Sequence, residues 1–358
     1  MNTYLAIGLM SGTSLDGLDL IYCQFEWRNN NWQYKILNTK SIEYTTDWKT
    51  RLKNAFDLSD KELKVLDEKY GRWLGEQTKT FIDQDGLEVD LVASHGHTVF
   101  HQPKKGITVQ IGSGQQIVNA TGTTVVCDFR KQDVSLGGQG APLVPIGDKY
   151  LFDRYIACIN LGGIANISFD YKGERVAFDI GMANMLLNYL SNQVGHPFDK
   201  GGQLASRGKV DNGLLEALNN LEYYKLPYPK STGYEWFISD VKPIIDKISL
   251  SIEDKMATAV EHEAEQIGKV LEKYLSKAGE VLITGGGAYN DFLIDRIKHF
   301  TPNHLSIIVP DKPIIEFKEA LIFAFMGVLR NRNEVNCLKT VTGAIRDSSG
   351  GDIFNPVC

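Results

Sequence analysis

The sequence predicts an α/β protein in two halves, from three observations. The chain has 358 residues, more than one ordinary hydrophobic core accommodates. Short apolar runs that end in glycine alternate with longer segments of helical periodicity. The order strand, glycine-rich turn and further strands opens the chain and recurs from Tyr155, roughly 150 residues later. A duplicated architecture produces such an order, but any α/β protein has several strand-to-glycine turns, so the pattern alone leaves both explanations open.

The elements of the first half follow from the spacing of apolar residues. Near the start of the chain, a short apolar run and two segments in which apolar and polar residues partly alternate predict a strand, a loop and two further strands. The apolar positions from Lys61 to Phe81 recur on one face of a helix. Pro142 to Pro145 is the expected crossover between the halves. The predicted strands are 4–9, 18–27, 34–44, 91–93, 108–111 and 124–127.

The second half repeats the pattern of short strands and adds longer helices. Glu253 and Asp254 stand in the first turn of a long predicted helix, where negative charge is favourable. The stretch from Pro197 to Trp236 is rich in Gly, Lys, Pro and Ser, which predicts a surface excursion or a lid. The predicted strands are 156–161, 164–169, 175–178, 281–284 and 306–309, and the predicted helices are 251–278, 290–299 and 317–330.

Composition excludes several classes of function. A net charge of −6 without any Lys/Arg-rich run argues against a nucleic-acid or anionic-membrane surface. The N-terminus lacks the basic start and apolar core of a signal peptide, and no window of about 18 apolar residues predicts a membrane span. Cys23, Cys127 and Cys158 lie in apolar runs, which is typical of buried thiols in a reducing compartment. We therefore expect a cytoplasmic protein.

The stretch SGTSLDG after the first strand is the first candidate site. Gly12 and Gly17 permit backbone conformations that other residues resist, and consecutive N–H groups with nearby hydroxyls can form an anion-binding nest. Asp16 and Asp19 fit such a nest only if a cation such as magnesium is shared with phosphate oxygens. The spacing matches neither the P-loop nor the Rossmann motif. An anion nest and a decorated hairpin turn remain equal alternatives at this point.

Two further glycine-rich turns follow apolar strands. Gly162–Gly163 lies between two predicted strands, and Gly285–Gly287 lies at a strand-to-helix junction, which presents N–H groups to an anion. Three such turns in one chain favour a nucleotide site. Asp179 ends another apolar strand, where a carboxylate facing a crevice can act as a general base. The alternative is that Asp179 caps a helix beginning near Met182.

Two charged residues have both a functional and a structural interpretation. Arg130 could bind a carboxylate or phosphate through two parallel hydrogen bonds, or could pair internally with an aspartate, with Asp128 and Asp133 nearby in sequence. Glu319 lies within an apolar helix, where a carboxylate needs a partner. It could bind a sugar hydroxyl, or could simply face solvent.

The spacing of His95, His97 and His101 suggests zinc ligands. No acidic or cysteine partner stands at ligand spacing, so polar packing or substrate contact is favoured over a metal site.

Long motifs throughout the chain resemble those of the anhydro-N-acetylmuramic acid kinases. They run from the first strand to the C-terminus, and they are GLMSGTSLDGLD, SHGHTVFHQP, VQIGSG, VVCDFRKQD with GGQGAPLVP, INLGGIANIS, FDIGMAN, PKSTGYEWF, ITGGGAYN and VTGAI. The resemblance implies two similar α/β lobes of the actin-like ATPase, ribonuclease H-like fold, with a nucleotide cleft between them. The implied lobes are residues 1–150 and 151–310, with 311–358 as a candidate completion of the first.

The resemblance also implies ATP and Mg²⁺ as cofactors, with Asp16 or Asp19 reaching the metal. The expected partners are ATP and a small sugar, without nucleic acid or membrane, and a homodimer is left open. The implied nucleotide-binding residues are Gly12, Thr13, Ser14, Leu15, Asp16, Gly17, Leu18, Asp19, Gly162, Gly163, Gly285, Gly286, Gly287 and Asn290.

In the family reaction, water opens the internal ether of the anhydro sugar and the released oxygen takes the γ-phosphoryl group of ATP, giving N-acetylmuramic acid 6-phosphate. Asp179 matches the base that activates the water. The implied sugar-binding residues are His97, Thr98, Arg130 and Glu319.

The chain departs from the family pattern at two places. It reads Asp179–Ile180–Gly181–Met182 where the family usually reads Asp-Thr-Gly-Pro, and His97 replaces the usual glutamine. These departures leave open a kinase for another amino sugar or hexose, or a weakly catalytic, nucleotide-gated binding protein.

Overall fold

The apolar run at the start of the chain forms the centre of a β-sheet. The computed structural model describes residues 2–12 and 15–356. In it the chain divides into two units, residues 1–151 with 317–358, and residues 152–316.

The first unit contains a six-stranded sheet and a separate β-hairpin. Its strands are β1 (Thr3–Met10), β2 (Gly17–Arg28), β3 (Asn31–Glu43), β4 (Leu91–Ser94), β5 (His97–Gln102), β6 (Ile107–Ile111) and β7 (Thr124–Cys127). Its first helices are α1 (Thr46–Lys53), α2 (Asp60–Asp85), α3 (Gly114–Thr121), α4 (Lys131–Ser135) and α5 (Pro145–Leu151).

The second unit contains a five-stranded sheet covered by helices. Its strands are β8 (Ala157–Leu161), β9 (Ile164–Tyr171), β10 (Glu174–Met182), β11 (Gly279–Thr284) and β12 (Leu305–Ile308). Its helices are α6 (Asn184–Asn192), α7 (Asn212–Asn219), α8 (Glu222–Lys225), α9 (Tyr234–Trp236), α10 (Lys242–Lys247), α11 (Ile252–Tyr274) and α12 (Asp291–Phe300), with a π-helical segment at Phe237–Val241.

The last elements return to the first unit. Helix α13 (Lys312–Asn331) contains the boundary between the units, and α14 (Lys339–Thr342) and β13 (Asp352–Phe354) follow it. β13 pairs with β7 and extends the first sheet.

Five strands of the first sheet repeat the strand order of the second sheet. In the first, β2 lies antiparallel between β1 and β3, and β4 and β7 follow parallel on the other side of β1. In the second, β9 lies antiparallel between β8 and β10, and β11 and β12 follow parallel on the other side of β8. Each unit has its own hydrophobic core. The repeated order confirms the duplicated α/β architecture.

Local signals set the ends of the long helices. α2 begins with a capping box between Ser59 and Glu62 and ends at Gly86, which has a φ of 58°. α11 begins at its Ser251 cap but ends at Tyr274, where the next residue is extended, so the predicted end at residue 278 was wrong.

The stretch 197–236 differs most from its prediction. It folds into short helices, and Leu214, Leu218 and Tyr223 are buried. Leu214 and Leu218 belong to the core of the second unit. The surface-excursion prediction was therefore wrong for the middle of this stretch, since an apolar face of α7 packs inward.

Among the described residues, Cys23, Cys127, Cys158 and Cys337 are buried, which confirms the burial predicted for the first three. No helix within residues 2–12 and 15–356 has the length and apolarity needed to cross a membrane.

Candidate active site

The SGTSLDG stretch lies in sequence between the antiparallel strands β1 and β2. Met10 of β1 pairs with Asp19 of β2, and the Leu15 N–H donates to the Gly12 carbonyl at 3.4 Å. Leu15 has a φ of 59°, a backbone conformation that is uncommon outside glycine. The predicted phosphate contacts of Thr13 and Ser14 fall outside the described residues. This antiparallel pairing is common to both sequence interpretations, so an anion nest stays a prediction.

The other residues of this loop have distinct environments. Asp16 is exposed and Asp19 is half-buried on β2, where it accepts a hydrogen bond from the Ser41 hydroxyl at 2.6 Å. Carboxylate oxygens are ligands that Mg²⁺ prefers, so these two residues fit the metal by chemistry. The Leu18 side chain is buried in the core, so only its backbone could contact a phosphate.

Arg130 pairs with His95 rather than with Asp128. Its Nε and one terminal nitrogen lie 3.1 and 2.7 Å from His95 Nε2, and its other terminal nitrogen donates to the Gly140 carbonyl at 2.6 Å. His95 Nε2 therefore acts as the acceptor, and Nδ1 donates to the Gly96 carbonyl at 2.9 Å. Burial, together with the charge of Arg130, holds the pKa of His95 well below its usual value.

The internal Asp–Arg pair considered from the sequence was wrong, since the Arg130 guanidinium bonds to His95 and to the Gly140 carbonyl. Asp128 instead forms a 2.7 Å ion pair with Lys131. Both ring nitrogens of His95 are engaged, so it has none left for a metal ion.

Glu319 lies on α13 beside the first strand. A Cβ at Gly8 would lie 2.0 Å from the Ala320 carbonyl oxygen, so glycine at this position lets the helix approach β1. The Glu319 side chain is exposed, yet desolvation by surrounding protein raises its pKa, against the charges of Arg130 and Lys318. Asp19 raises this pKa further. The first unit thus brings Asp19, Arg130 and Glu319 into one electrostatic environment.

The hairpin of β5 and β6 carries the two other predicted sugar-binding residues. Burial lowers the pKa of His97 to about 4, so its imidazole is neutral at pH 7. The Thr98 hydroxyl accepts a long 3.4 Å hydrogen bond from Gln110. Among the residues described, His97 Nδ1 and Gln110 Oε1 are buried without a hydrogen-bond partner. Buried polar atoms are usually paired, so these two are available to a ligand.

Asp179 lies at a β-bulge in the second unit. It pairs with Asn166 of β9, and the register shifts between Asp179 and Gly181. Bulges often occur beside active sites, because they redirect a side chain. Asp179 Oδ2 accepts hydrogen bonds from the Ser231 hydroxyl at 2.9 Å and the Thr232 N–H at 3.0 Å. Helix α6 has Ala183 as its N-cap without a side-chain bond, so the interpretation of Asp179 as a helix cap was wrong.

The ionisation of Asp179 is balanced between opposing effects. Desolvation raises its pKa above the usual value, and this effect outweighs the two hydrogen bonds and the charge of Lys230, which lower it. A carboxylate with a raised pKa is a better proton acceptor than an ordinary surface aspartate, which is what a general base requires.

The turn Gly162–Gly163 caps helix α6. The Ala183 and Met185 N–H groups both donate to the Gly163 carbonyl at 3.0 Å, and the Asn184 N–H donates to the Gly162 carbonyl at 3.1 Å. The N–H groups at the start of α6 are therefore already engaged by the turn.

The turn Gly285–Gly287 packs against the end of β8. A Cβ at Gly287 would lie 2.6 Å from the Leu161 Cβ, and Gly285 has a φ of 84°. The Asn184 amide donates to the Leu161 carbonyl at 2.9 Å and bridges the two glycine turns. The second unit thus brings both turns together at one edge of its sheet. Asn290 Oδ1 caps α12 by accepting from the Leu293 N–H at 3.0 Å, so this oxygen of a predicted nucleotide-binding residue is engaged.

Sequence reasoning missed two groups of residues, those that hold the Asp179 carboxylate and the one that bonds to the end of β8. Ser231 and Thr232 lie in the PKSTG motif, and Asn184 lies in the FDIGMAN motif. Both motifs were signals for the family resemblance, but neither indicated which residues contact each other.

The duplicated strand order and the glycine turns define the class of protein. They define a duplicated α/β protein, in which both units repeat one order of five strands. The chain belongs to the anhydro-N-acetylmuramic acid kinase family, since it matches the family's model over residues 4–356.

Full-length relatives support this assignment. The chain is 34% identical to the anhydro-N-acetylmuramic acid kinase of Synechococcus elongatus, over 97% of this chain and 98% of the relative. It is 35% identical to the protein of the same name from Gloeobacter violaceus, over 99% of both chains. Among solved structures, it is similar to the Clostridium difficile activator of 2-hydroxyisocaproyl-CoA dehydratase, with a TM-score of 0.43, 13% identity, and coverage of 91% of this chain and 93% of that one. The assignment rests on the family match and not on this structural likeness.

Proposed function

We propose that the protein is an ATP-dependent kinase that opens 1,6-anhydro-N-acetylmuramic acid with water and produces N-acetylmuramic acid 6-phosphate. Water attacks the anomeric carbon, the bond from that carbon to the bridging oxygen breaks, and this oxygen forms a bond to the γ-phosphorus of ATP as ADP leaves. Asp179 accepts the proton that the water loses. The observation that carries the assignment of the base is the carboxylate at the β10 bulge, with a raised pKa and its Oδ2 held by two donors.

The first unit supplies the residues proposed to bind the sugar. Arg130, oriented by His95, can donate to sugar oxygens, and the Glu319 carboxylate can accept from hydroxyls. The unpartnered His97 Nδ1 offers a further contact for a hydroxyl or acetamido group.

The nucleotide is assigned to the glycine turns of both units. The stretch from Gly12 to Asp19 would bind phosphate, as would the Gly162–Gly163 turn, and Gly285–Gly287 would lie near the adenosine. Asp16 and Asp19 are the proposed carboxylates for Mg²⁺, directly or through water. When bound, the metal would neutralise phosphate charge. The buried cysteines fit a reducing compartment, and we place the protein in the cytoplasm.

The test is a kinase assay on 1,6-anhydro-N-acetylmuramic acid in ¹⁸O-labelled water. We expect ATP-dependent N-acetylmuramic acid 6-phosphate with one ¹⁸O at the anomeric position. A protein that binds ATP but forms no sugar phosphate would refute the proposal. Phosphorylation of other hexoses or amino sugars in preference to the anhydro sugar would reassign the substrate.

Variants separate the base from the rest of the site. Asp179→Asn preserves the shape and an acceptor oxygen for Ser231, so we expect ATP affinity to stay within twofold while kcat falls by about 10²- to 10⁴-fold. The control is Asp295→Asn, which removes a carboxylate exposed on α12. It should retain full activity.

A further inference from the structure

The segment Lys230–Thr232 lies against the strand that carries Asp179. The Asp179 N–H donates to the Lys230 carbonyl at 3.2 Å, and the side chains of the two elements meet at Asp179 Oδ2. The Tyr223 hydroxyl donates to the Asp179 carbonyl at 2.7 Å. The backbone of Asp179 is therefore fixed at both its N–H and its carbonyl by residues of the stretch 197–236.

The two oxygens of the Asp179 carboxylate have different environments. Oδ2 accepts from the Ser231 hydroxyl and from the Thr232 N–H. Within the described part of the chain, Oδ1 accepts no hydrogen bond. A carboxylate held through one oxygen has its rotation about the side chain restricted, so the other oxygen has a defined direction.

Lys230 supports the same arrangement without contacting the carboxylate directly. Its ammonium donates to the Tyr223 carbonyl at 3.3 Å and lies 4.4 Å from the centre of the Tyr223 ring. Its charge favours the ionised form of Asp179. Besides the two donors to Oδ2, the group that acts on this carboxylate is thus Lys230, and Lys273 acts on Lys230 in turn.

We propose that Ser231 and Thr232 are positioning residues for Asp179: they hold Oδ2 so that Oδ1 is directed to the attacking water. The role of this restraint in catalysis rests on the proposed function, whereas the restraint itself, which is the pair of hydrogen bonds to Oδ2, does not. The Ser231 hydroxyl is the part of this restraint that a substitution can remove, because the Thr232 contribution comes from the backbone.

The test compares Ser231→Ala, Ser231→Thr and the wild type. Ser231→Thr keeps the hydroxyl and should restore what Ser231→Ala loses. The control is Ser206→Ala, since Ser206 is also exposed and in the same unit, but its hydroxyl donates only to the Gln203 carbonyl. Thermal unfolding establishes that each variant is folded.

The first measurement needs no substrate. The Asp179 carboxyl is followed by ¹³C NMR against pH, with Asp179→Asn to assign the signal. Loss of a hydrogen bond to the charged form should move the titration in Ser231→Ala to higher pH by about 0.5 to 1. Ser231→Thr and Ser206→Ala should titrate as the wild type does. An unchanged titration in Ser231→Ala would overturn the proposal.

The second measurement is kcat/KM for the anhydro sugar against pH. In Ser231→Ala, we expect the acidic limb of this pH profile to move to higher pH by the same amount as the NMR titration. We also expect kcat on the pH-independent plateau to fall about tenfold, with the KM for ATP unchanged. A serine that merely anchors the loop would leave the acidic limb in place, and that result would also overturn the proposal.

The two measurements distinguish the possible failures. If the wild type forms no sugar phosphate but the NMR titration moves as expected, the proposed function fails and the restraint on Asp179 stands. If the wild type is active and neither the titration nor the acidic limb moves, the function stands and the positioning role fails.

Discussion

The buried ion pair beside Glu319 allows a quantitative test of what holds the first unit together. Lys318 Nζ lies 2.7 Å from Asp148 Oδ1, and the two side chains are only 7% and 5% exposed. At this separation and an effective dielectric constant of about 20, two unit charges attract by about 6 kcal/mol, most of which desolvation offsets. Asp148→Asn keeps the volume but leaves the Lys318 ammonium buried without this carboxylate. We expect a loss of about 3–5 kcal/mol in the free energy of unfolding.

Calorimetry measures this loss as a shift in the unfolding temperature of the first unit. For units of about 150–250 residues, 1 kcal/mol corresponds to about 2–4 °C, so the midpoint should fall by about 6–20 °C. Replacing both partners by apolar residues, as in Asp148→Leu with Lys318→Met, should recover most of the loss, because no buried charge remains.

An exposed pair in the same unit is the matched control. Arg51 and Asp47 are also 2.7 Å apart, but their side chains are 45% and 66% exposed. Asp47→Asn should cost less than about 1 kcal/mol. If Asp148→Asn and Asp47→Asn lowered the midpoint equally, burial would not determine the strength of these pairs, and the reasoning would be refuted.

Two further predictions concern the site. Arg130→Lys cannot reproduce the forked contact of the guanidinium with His95. In steady-state kinetics we therefore expect the KM for the sugar to rise at least tenfold, with the KM for ATP unchanged. An unchanged KM for the sugar would show that the forked contact is dispensable. Lys230→Met removes a cation that favours the ionised form of Asp179, so the pKa of Asp179 should rise. The acidic limb of the pH profile of kcat/KM should then move to higher pH. An acidic limb that stayed in place or moved to lower pH would contradict this prediction.

The parts of the fold that sequence predicted well depend on short-range spacing. β7 was predicted at its observed bounds because Thr124–Cys127 is a compact β-branched run. Helix α13 begins at Lys312, ahead of the predicted Phe317, because Pro313 is tolerated in the first turn of a helix. β5 was missed because its histidines were considered as possible ligands, whereas the strand is defined by its pairing with β6.

The site was predictable by residue type but not by contact. Asp179 stood out because it follows an apolar strand. Its partner Ser231 is 52 residues away in sequence, and His95 is 35 residues from Arg130. No local periodicity encodes such contacts, because they depend on how strands and loops of distant sequence pack together. The motifs indicated that the segments around Asp179 and Ser231 are important. Only the structure shows that Ser231 holds the Asp179 carboxylate.

The departure at Ile180 is best explained by packing rather than by substrate choice. Ile180 is 2% exposed in the core of the second unit, whereas Asp179 is half-buried and bonded to Ser231 outside that core. Because the side chain at position 180 packs in this core, a hydroxyl there would enter the core. Ile180→Thr should therefore cost about 1–3 kcal/mol in unfolding free energy, because it buries a hydroxyl and loses apolar contact. Kinetics on the folded variant should give a kcat and a sugar KM within twofold of the wild type. If the ratio of kcat/KM for the anhydro sugar to kcat/KM for other sugars changed in this variant, the side chain at position 180 would instead reach the substrate.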